Sequence, residues 1–309
     1  MGIFDSFKSM FGSKPKGPSA PGAAKGAKKK KLPRTDLNKR FELQGRTGQG
    51  SMSRVWRAYD RTLGRTVCLK ILDKEKTAKF EARFVGKNKP PEGEICMELK
   101  HKNIVKTFEY GVSTKGEPYL VMELIEGSGL NFLVETRSPK LRGHEAEILA
   151  QLADAVAYLH LMKYMHRDLC PRNVMVTNDG VVKLIDFGLT IPYRPEFCTP
   201  GNRTGTPDYL PPEVIRRQST DHRVDLFALG VTAFEVYTGF LPWERTQGSM
   251  EALQKHLQSP GKDPHEFRRD LSKSERAFLI KAVQRDVRER FQTAVDFRQA
   301  VLALVKDKE

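Results

Sequence analysis

The chain lacks any apolar run approaching the roughly 18 residues that a membrane-spanning helix needs, and its first residues lack the apolar core and small-residue cleavage site of a secretory signal. A cytoplasmic protein is expected. Cysteine is scarce: Cys68, Cys96, Cys170 and Cys198 are scattered, with no CxxC pair and no matching histidine spacing. That pattern excludes a zinc module and a disulfide framework and leaves reduced thiols. No stretch repeats, which excludes a solenoid. Acid is the charge in short supply: 38 Asp and Glu stand against 53 Lys and Arg, for a net charge of +15.

Where the excess sits decides what it means. Residues 1–40 hold eleven Lys or Arg against Asp5 and Asp36, so +9 of the +15 falls there and only +6 on the remaining 269 residues. Within MGIFDSFKSMFG, Ile3, Phe4, Phe7, Met10 and Phe11 recur at spacings of 3 and 4 and share one helical face. SKPKGPSAPGAAKGAKKKKLP follows, a Pro/Gly/Ala/Lys stretch that cannot bury enough apolar surface to offset ordering, so residues 1–40 are expected to be a disordered basic tail with one short amphipathic helix. An apolar face followed by the Lys28–Lys31 cluster is the two-signal arrangement for an anionic lipid surface. Peripheral contact of residues 1–31 with an anionic membrane, at its inner surface, is the expectation; a solubilising tail and a docking peptide are the alternatives. The lysine-rich part has no interleaved aromatics, so no specific nucleic acid is expected as a partner.

Folded sequence is expected from Phe41. RVWRAYD and TVCLKIL are β-like runs joined around Gly64, and IVKTFEYG and PYLVMELI form a second pair around Gly116. Beyond them, HEAEILAQLADAVAYLHLM places Ile148, Leu149, Leu152, Val156 and Leu159 on one helical stripe, and residues 222–239, 251–258, 272–284 and 293–305 also have helical character. The pattern predicts an α+β protein with a small, mainly β lobe over about 41–124 and a larger, mainly α lobe over about 125–305.

The motifs are weak singly and strong in order. Gly48-Gln49-Gly50, the strand lysine Lys70, a glutamate ahead of His101, and His166-Arg167-Asp168 with Asn173 five residues after the Asp come first. Asp186-Phe187-Gly188, Gly205-Thr206-Pro207 and Pro211-Pro212-Glu213 follow. In that order, from about Phe41 to Val305, the chain resembles the eukaryotic-like serine/threonine protein kinases, and AYDRTLGRTVCLKIL is most similar to their bacterial members.

The resemblance implies a bilobal protein-kinase fold and ATP-dependent phosphorylation of Ser or Thr in protein substrates, with Mg²⁺ and with autophosphorylation. Phosphoryl transfer asks mainly for positioning and charge neutralisation. Gly48 and Gly50 would let the backbone approach ATP phosphates; Ser53 replaces the third glycine, and Val55 would cover the adenine. Lys70 would hold the α and β phosphates, oriented by Glu92, although Pro90, Pro91 and Gly93 are poor company in a helix and Glu94 is the fallback. Met122 corresponds to the gatekeeper, and the backbone of Glu123 and Ile125 to the adenine contacts. Asp168 would accept the substrate proton, Asn173 and Asp186 would hold Mg²⁺, and Thr206 would join Asp168 to the substrate platform. Glu213 is expected to pair with Arg290, and Asp225 to brace the catalytic loop.

Two residues depart from the family pattern. Cys170 stands where most serine/threonine kinases carry a lysine, and Arg172 lies where many tyrosine kinases carry an arginine, so Arg172 is a candidate for the missing cation. The same arginine argues against a preference for basic substrates. Arg167 is the family's receiver of an activation-segment phosphate, with Thr199 the first candidate site, Thr204 the second, and Thr190 and Tyr193 behind them. Ser53, the prolines near Glu92 and Cys170 keep a non-catalytic signalling scaffold as the alternative.

Overall fold

A computed structural model describes residues 34–49, 52–201, 204–245 and 250–306. Gly50 and the tail segment 1–31 lie outside the described residues. Regular structure is present ahead of Phe41, in β1 (Arg34–Thr35) and α1 (Leu37–Arg40). The reason is local: the Asp36 carboxylate caps α1 by accepting from Asn38 N and Lys39 N, and Arg40 pairs with Asp60 and Glu109. Residues 34–40, expected within the tail, are therefore part of the folded structure.

The first lobe is a six-stranded sheet in the order β1-β5-β6-β4-β3-β2. Its other strands are β2 (Phe41–Gln49), β3 (Ser53–Asp60), β4 (Arg65–Leu72), β5 (Thr107–Ser113) and β6 (Pro118–Met122). Gly64 and Gly116 turn the hairpins at φ 64° and 81°, in the left-handed region that glycine reaches without a Cβ penalty. One face buries Phe41, Ala58, Val67, Leu69, Tyr119 and Val121; the other packs on α3 (Glu92–Glu98). Register places Gly48 opposite Val55, and Val55 opposite Lys70, in one row across three strands.

Between β4 and α3 the chain forms α2 (Lys74–Glu81) and a 3₁₀ turn, Ala82–Phe84. Phe80 and Phe84 from this segment bury against Met165, Ile191 and Phe197 of the second lobe.

That lobe contains α4 (Leu130–Glu135), α5 (Glu145–Leu161), α6 (Pro212–Ile215), α7 (Arg223–Thr238), α8 (Met250–Gln258), α9 (Lys273–Ala282) and α10 (Ala294–Lys306). Every residue of α7 from Val224 to Thr238 is buried, as expected of a helix that is apolar all round, and Gly239 at φ 79° ends it. Short strands frame the loop that follows α5: β7 (Gly127–Gly129), β9 (Val174–Thr177) and β10 (Val182–Leu184) make one sheet. β8 (Tyr164–Met165) pairs with β11 (Ile191–Pro192). Among the described residues no helix is long and apolar enough to cross a membrane.

Candidate active site

Lys70 projects from β4 into the gap between lobes, with its side chain only 5% exposed. Nζ donates to Glu92 Oε1 at 2.6 Å and to Asp186 Oδ1 at 2.9 Å. Burial opposes its charge, but Asp186 and Glu92 outweigh burial and raise its pKa, so the ammonium persists. The prolines do not interrupt the helix that carries Glu92, because Pro91 is its N-cap and Glu92 its first residue. Gly93 is required by packing: a Cβ there would lie 2.6 Å from the Tyr110 side chain. The fallback Glu94 is exposed on the same helix.

At the hinge Met122 is buried, paired with Cys68 and Thr107 across the sheet. Glu123 N donates to Lys106 O, so of its backbone groups the carbonyl is the one left for a ligand; Ile125 packs against the main core. The Glu123 carboxylate takes Lys106 N and Lys183 Nζ, which ties the hinge to β10. Ser53 is buried at the start of β3 and Val55 half-buried two residues on.

Asp168 is held on both oxygens. Oδ1 accepts from Thr206 N at 2.8 Å and Thr206 Oγ1 at 2.7 Å, and Oδ2 from Asn173 Nδ2 at 3.0 Å. Below it, the Asp225 carboxylate accepts from His166 N, Arg167 N and His160 Nε2, at 2.8, 2.8 and 2.9 Å. Those bonds hold Arg167 at φ 68°, an uncommon conformation for a residue other than glycine. Gly205, at φ 130°, passes so close that a Cβ would fall 2.6 Å from Arg167 O. Phe187 packs edge-on against His166 at 5.3 Å. Glu213 and Arg290 form a two-point ion pair at 2.7 and 2.8 Å, with the Arg290 side chain wholly buried.

Cys170 is 1% exposed, and burial pushes its thiol up to about 11, which makes it an inert neutral group. Its Sγ lies 3.9 Å from Thr206 Oγ1, and Arg172 reaches the same hydroxyl from the open side, Nη2 to Oγ1 at 3.4 Å. Thr206 thus joins Asp168, Cys170 and Arg172.

The donor set suits a hard cation held jointly with phosphate. Asn173 spends its Nδ2 on Asp168, which leaves Oδ1 as an acceptor, while Asp186 spends Oδ1 on Lys70 and Gly188 N. Among the described residues no cluster of three His, Cys, Asp or Glu could hold a metal alone, so ligand oxygens and water would complete the shell.

Sheet, hinge and loop together define a bilobal kinase architecture. Residues 41–301 match the protein kinase domain family, and the chain belongs to it. Its relatives include serine/threonine-protein kinase pkn3 of Myxococcus xanthus, 27% identical over 87% of this chain and 50% of that protein. The probable serine/threonine-protein kinase PknB of Corynebacterium glutamicum is 32% identical over 82% of this chain and 40% of its own length. Aurora kinase of Saccharomyces cerevisiae is 34% identical over 66% and 54%. The chain spans about half or less of most of these relatives.

The sequence reading missed the segment 73–91. Its signal was present in Phe80 and Phe84, four residues apart beside a helix cap, Asp73, that accepts from Lys76 N. It also missed Glu235, a buried carboxylate on α7.

Proposed function

We propose that the chain transfers the γ-phosphate of ATP to Ser or Thr hydroxyls of protein substrates, with Mg²⁺, and that it phosphorylates itself. The observation that carries this is Asp168, oriented by Thr206 and Asn173, across the cleft from the Lys70–Glu92–Asp186 network. Asp168 accepts the hydroxyl proton as the new P–O bond forms and the bond from the γ-phosphorus to the bridging oxygen breaks, with ADP as the leaving group; Lys70 neutralises phosphate oxygens; the Gly48 backbone and the Glu123 carbonyl hold the nucleotide. Mg²⁺ held by Asn173 and Asp186 would supply charge neutralisation at the transferred group. Incubation with labelled ATP and Mg²⁺ should label the chain and a generic protein substrate, and Asp168→Asn should abolish both signals. Labelling that persists in the variant would point to contamination or to a mechanism that does not use Asp168, and absence of labelling in both proteins would support a non-catalytic scaffold.

Arg172 supplies the cation that Cys170 does not. Its guanidinium stands one hydroxyl away from Asp168, so Arg172→Ala should lower kcat by roughly tenfold to a hundredfold with little change in ATP affinity. Full turnover in that variant, with a large gain in Cys170→Lys, would remove the idea.

For regulation, Thr190 is fully buried, whereas Thr199 is exposed on an open cavity of about 540 Å³ lined by Arg83, Lys87 and Arg217. Arg83 also lies near enough to Arg167 for the two charges to oppose each other. A phosphate on Thr199 would relieve that opposition, and mass mapping should find it in the active chain but not in Asp168→Asn. Residues 1–31 make a peripheral contact with anionic membrane through their apolar face and lysine cluster. Liposome co-sedimentation of the full chain, compared with a chain starting at Leu32, which keeps β1 and the Asp36 cap, tests that contact.

A further inference from the structure

A cavity of about 290 Å³ lies in the second lobe where three stretches of chain meet: the link from α4 to α5, the last turn of α7, and the residues ahead of α9. None of Lys70, Glu92, Asp168 and Asp186 lines it. Val134, Leu141, Val236 and Phe267 give it an apolar wall, while its polar groups are mostly donors. Arg268 spends Nη1 on Glu145 Oε1 at 2.7 Å and on Tyr237 O at 3.0 Å, and Nε on Asp270 at 3.4 Å. Its Nη2 is left unspent among the described residues. The nearest buried acid has no room for it, because Glu145 gives Oε1 to Arg268 and Oε2 to Gly143 N. Tyr237 is 3% exposed, and its hydroxyl has no hydrogen-bond partner among the described residues. Burial, with Glu275 and Glu145 near it, pushes the phenol pKa up, so the group stays a neutral donor. At the rim stand two exposed arginines, Arg137 over the Phe240 ring at 5.8 Å and Arg142, and neither is in an ion pair among the described residues. The lining residues thus carry three arginines against Glu145 and Asp270, an excess of one positive charge.

We propose that this cavity binds a small apolar carboxylate, whose oxygens accept from Arg268 Nη2 and the Tyr237 hydroxyl and whose body packs on Leu141, Val236 and Phe267. A buried donor without an acceptor forgoes a hydrogen bond, and a carboxylate supplies the acceptors that Glu145 cannot. The single excess charge favours a monoanion, since a dianion such as a phosphate monoester would leave one charge uncompensated in a partly apolar site. The volume is at the low end for small-molecule sites and limits the ligand to metabolite size. Arg137 and Arg142 draw the anion to the mouth. Once bound, it would tie the α4–α5 link to the end of α7 and stabilise the folded chain by mass action. The inference stands apart from the phosphoryl-transfer reading, because the two sites share no residue.

The probe is para-fluorophenylacetate, followed by fluorine NMR on the full-length protein. Para-fluorophenylacetamide serves as an uncharged control of the same shape, and excess ADP with Mg²⁺ checks that the probe is not in the nucleotide cleft. The wild type should bind the acid with a Kd on the order of 1 mM, as expected for about ten non-hydrogen atoms, and the amide at least tenfold more weakly. Tyr237→Phe should weaken binding about fivefold, and Arg137→Gln/Arg142→Gln about tenfold, with ADP leaving the wild-type value unchanged. Without probe, Tyr237→Phe should melt at or above the wild-type temperature, because the hydroxyl it removes has no partner to lose. Absence of binding at about tenfold above that Kd, equal binding of the amide, displacement by ADP, or an unchanged Kd in either variant would each overturn the inference. So would a lower melting temperature of the unliganded Tyr237→Phe chain, which would mean that the hydroxyl is already bonded within the protein.

Discussion

Helix α7 brings Asp225 under the Asp168 loop from a 16-residue helix that is buried from Val224 to Thr238, while α3 brings Glu92 to Lys70 from seven residues whose first is Glu92 itself. The α7 carboxylate is satisfied by two backbone N–H groups and His160. The α3 carboxylate depends on a single lysine. The entry to α3 has no side-chain cap and is fixed from outside, by Phe80 and Phe84 against Phe197 and by Lys89 on Glu81 at 2.9 Å. The loop that carries Asp168 is therefore rigid by construction. The Lys70–Glu92 clamp is adjustable, set by contacts that reach across to the segment after Asp186.

The largest effect should come from breaking the rigid side. Asp225→Ala removes the acceptor of two buried N–H groups beside a strained Arg167, and about 4 kcal/mol of stability should go with it. Urea denaturation measures this, and a loss below about 1 kcal/mol would mean that the loop holds its shape without α7. On the adjustable side, Phe84→Ala should cost about 3 kcal/mol in packing, and should also raise KM for ATP, since Glu92 loses its external support. If KM stays at the wild-type value while stability falls, Phe84 supports the fold but not the clamp.

A third change is smaller and more specific. Gly93→Ala would press a methyl into Tyr110, costing about 2 kcal/mol, and the strain should appear as weakened ATP binding before it appears as unfolding. Tyr110→Ala in the same chain should recover part of the loss. Strict additivity of the two substitutions would show that they do not meet.

This contrast also explains how far the sequence could be read. Asp225, Glu213 with Arg290, and the Asp168–Asn173–Thr206 group were legible because each sits in a short motif with fixed spacing on rigid elements. The helix expected over 222–239 spans Arg223–Thr238, since buried apolar residues and Gly239 mark both its body and its end. Glu92 was harder, because Pro90 and Pro91 read as helix breakers when they are in fact the entrance to the helix. The expected strand start at Ile104 moves to Thr107, because Ile104 bridges to Leu184 instead. The Phe80–Phe84–Phe197 contact joins residues more than a hundred apart, which no local periodicity reports. The ion pair of Arg245 with Glu235 was invisible for a different reason: nothing in the sequence says where an exposed arginine leans.

The mildest expected effect is a difference in acid sensitivity between the two helices. Burial holds the pKa of His166 below its ordinary value despite Asp225 and Asp168, and burial does the same for His222 beside α7. A histidine lowered in the fold contributes stability that is present above its unfolded pKa of about 6.5 and is lost as pH falls toward the folded value. Burial raises the Glu92 carboxyl, and a group raised in the fold takes up its proton there first, so acidification does not cost stability at α3. Asp225 keeps its charge throughout: burial would raise it, but His160 and the loop N–H groups hold it below the usual carboxylate range. Between pH 7 and pH 5 the loss from His166 and His222 should be on the order of 1 kcal/mol and should be felt at the α7 end; His101 and His256, also lowered by burial, add their own losses after α3 and on α8. Amide exchange, corrected for the intrinsic effect of pH, should show weaker protection at residues 166–168 and in the first turn of α7, with residues 92–95 unchanged. Equal loosening at both helices would mean that α7 and α3 are parts of one cooperative unit, and that the division into a rigid and an adjustable carboxylate does not hold.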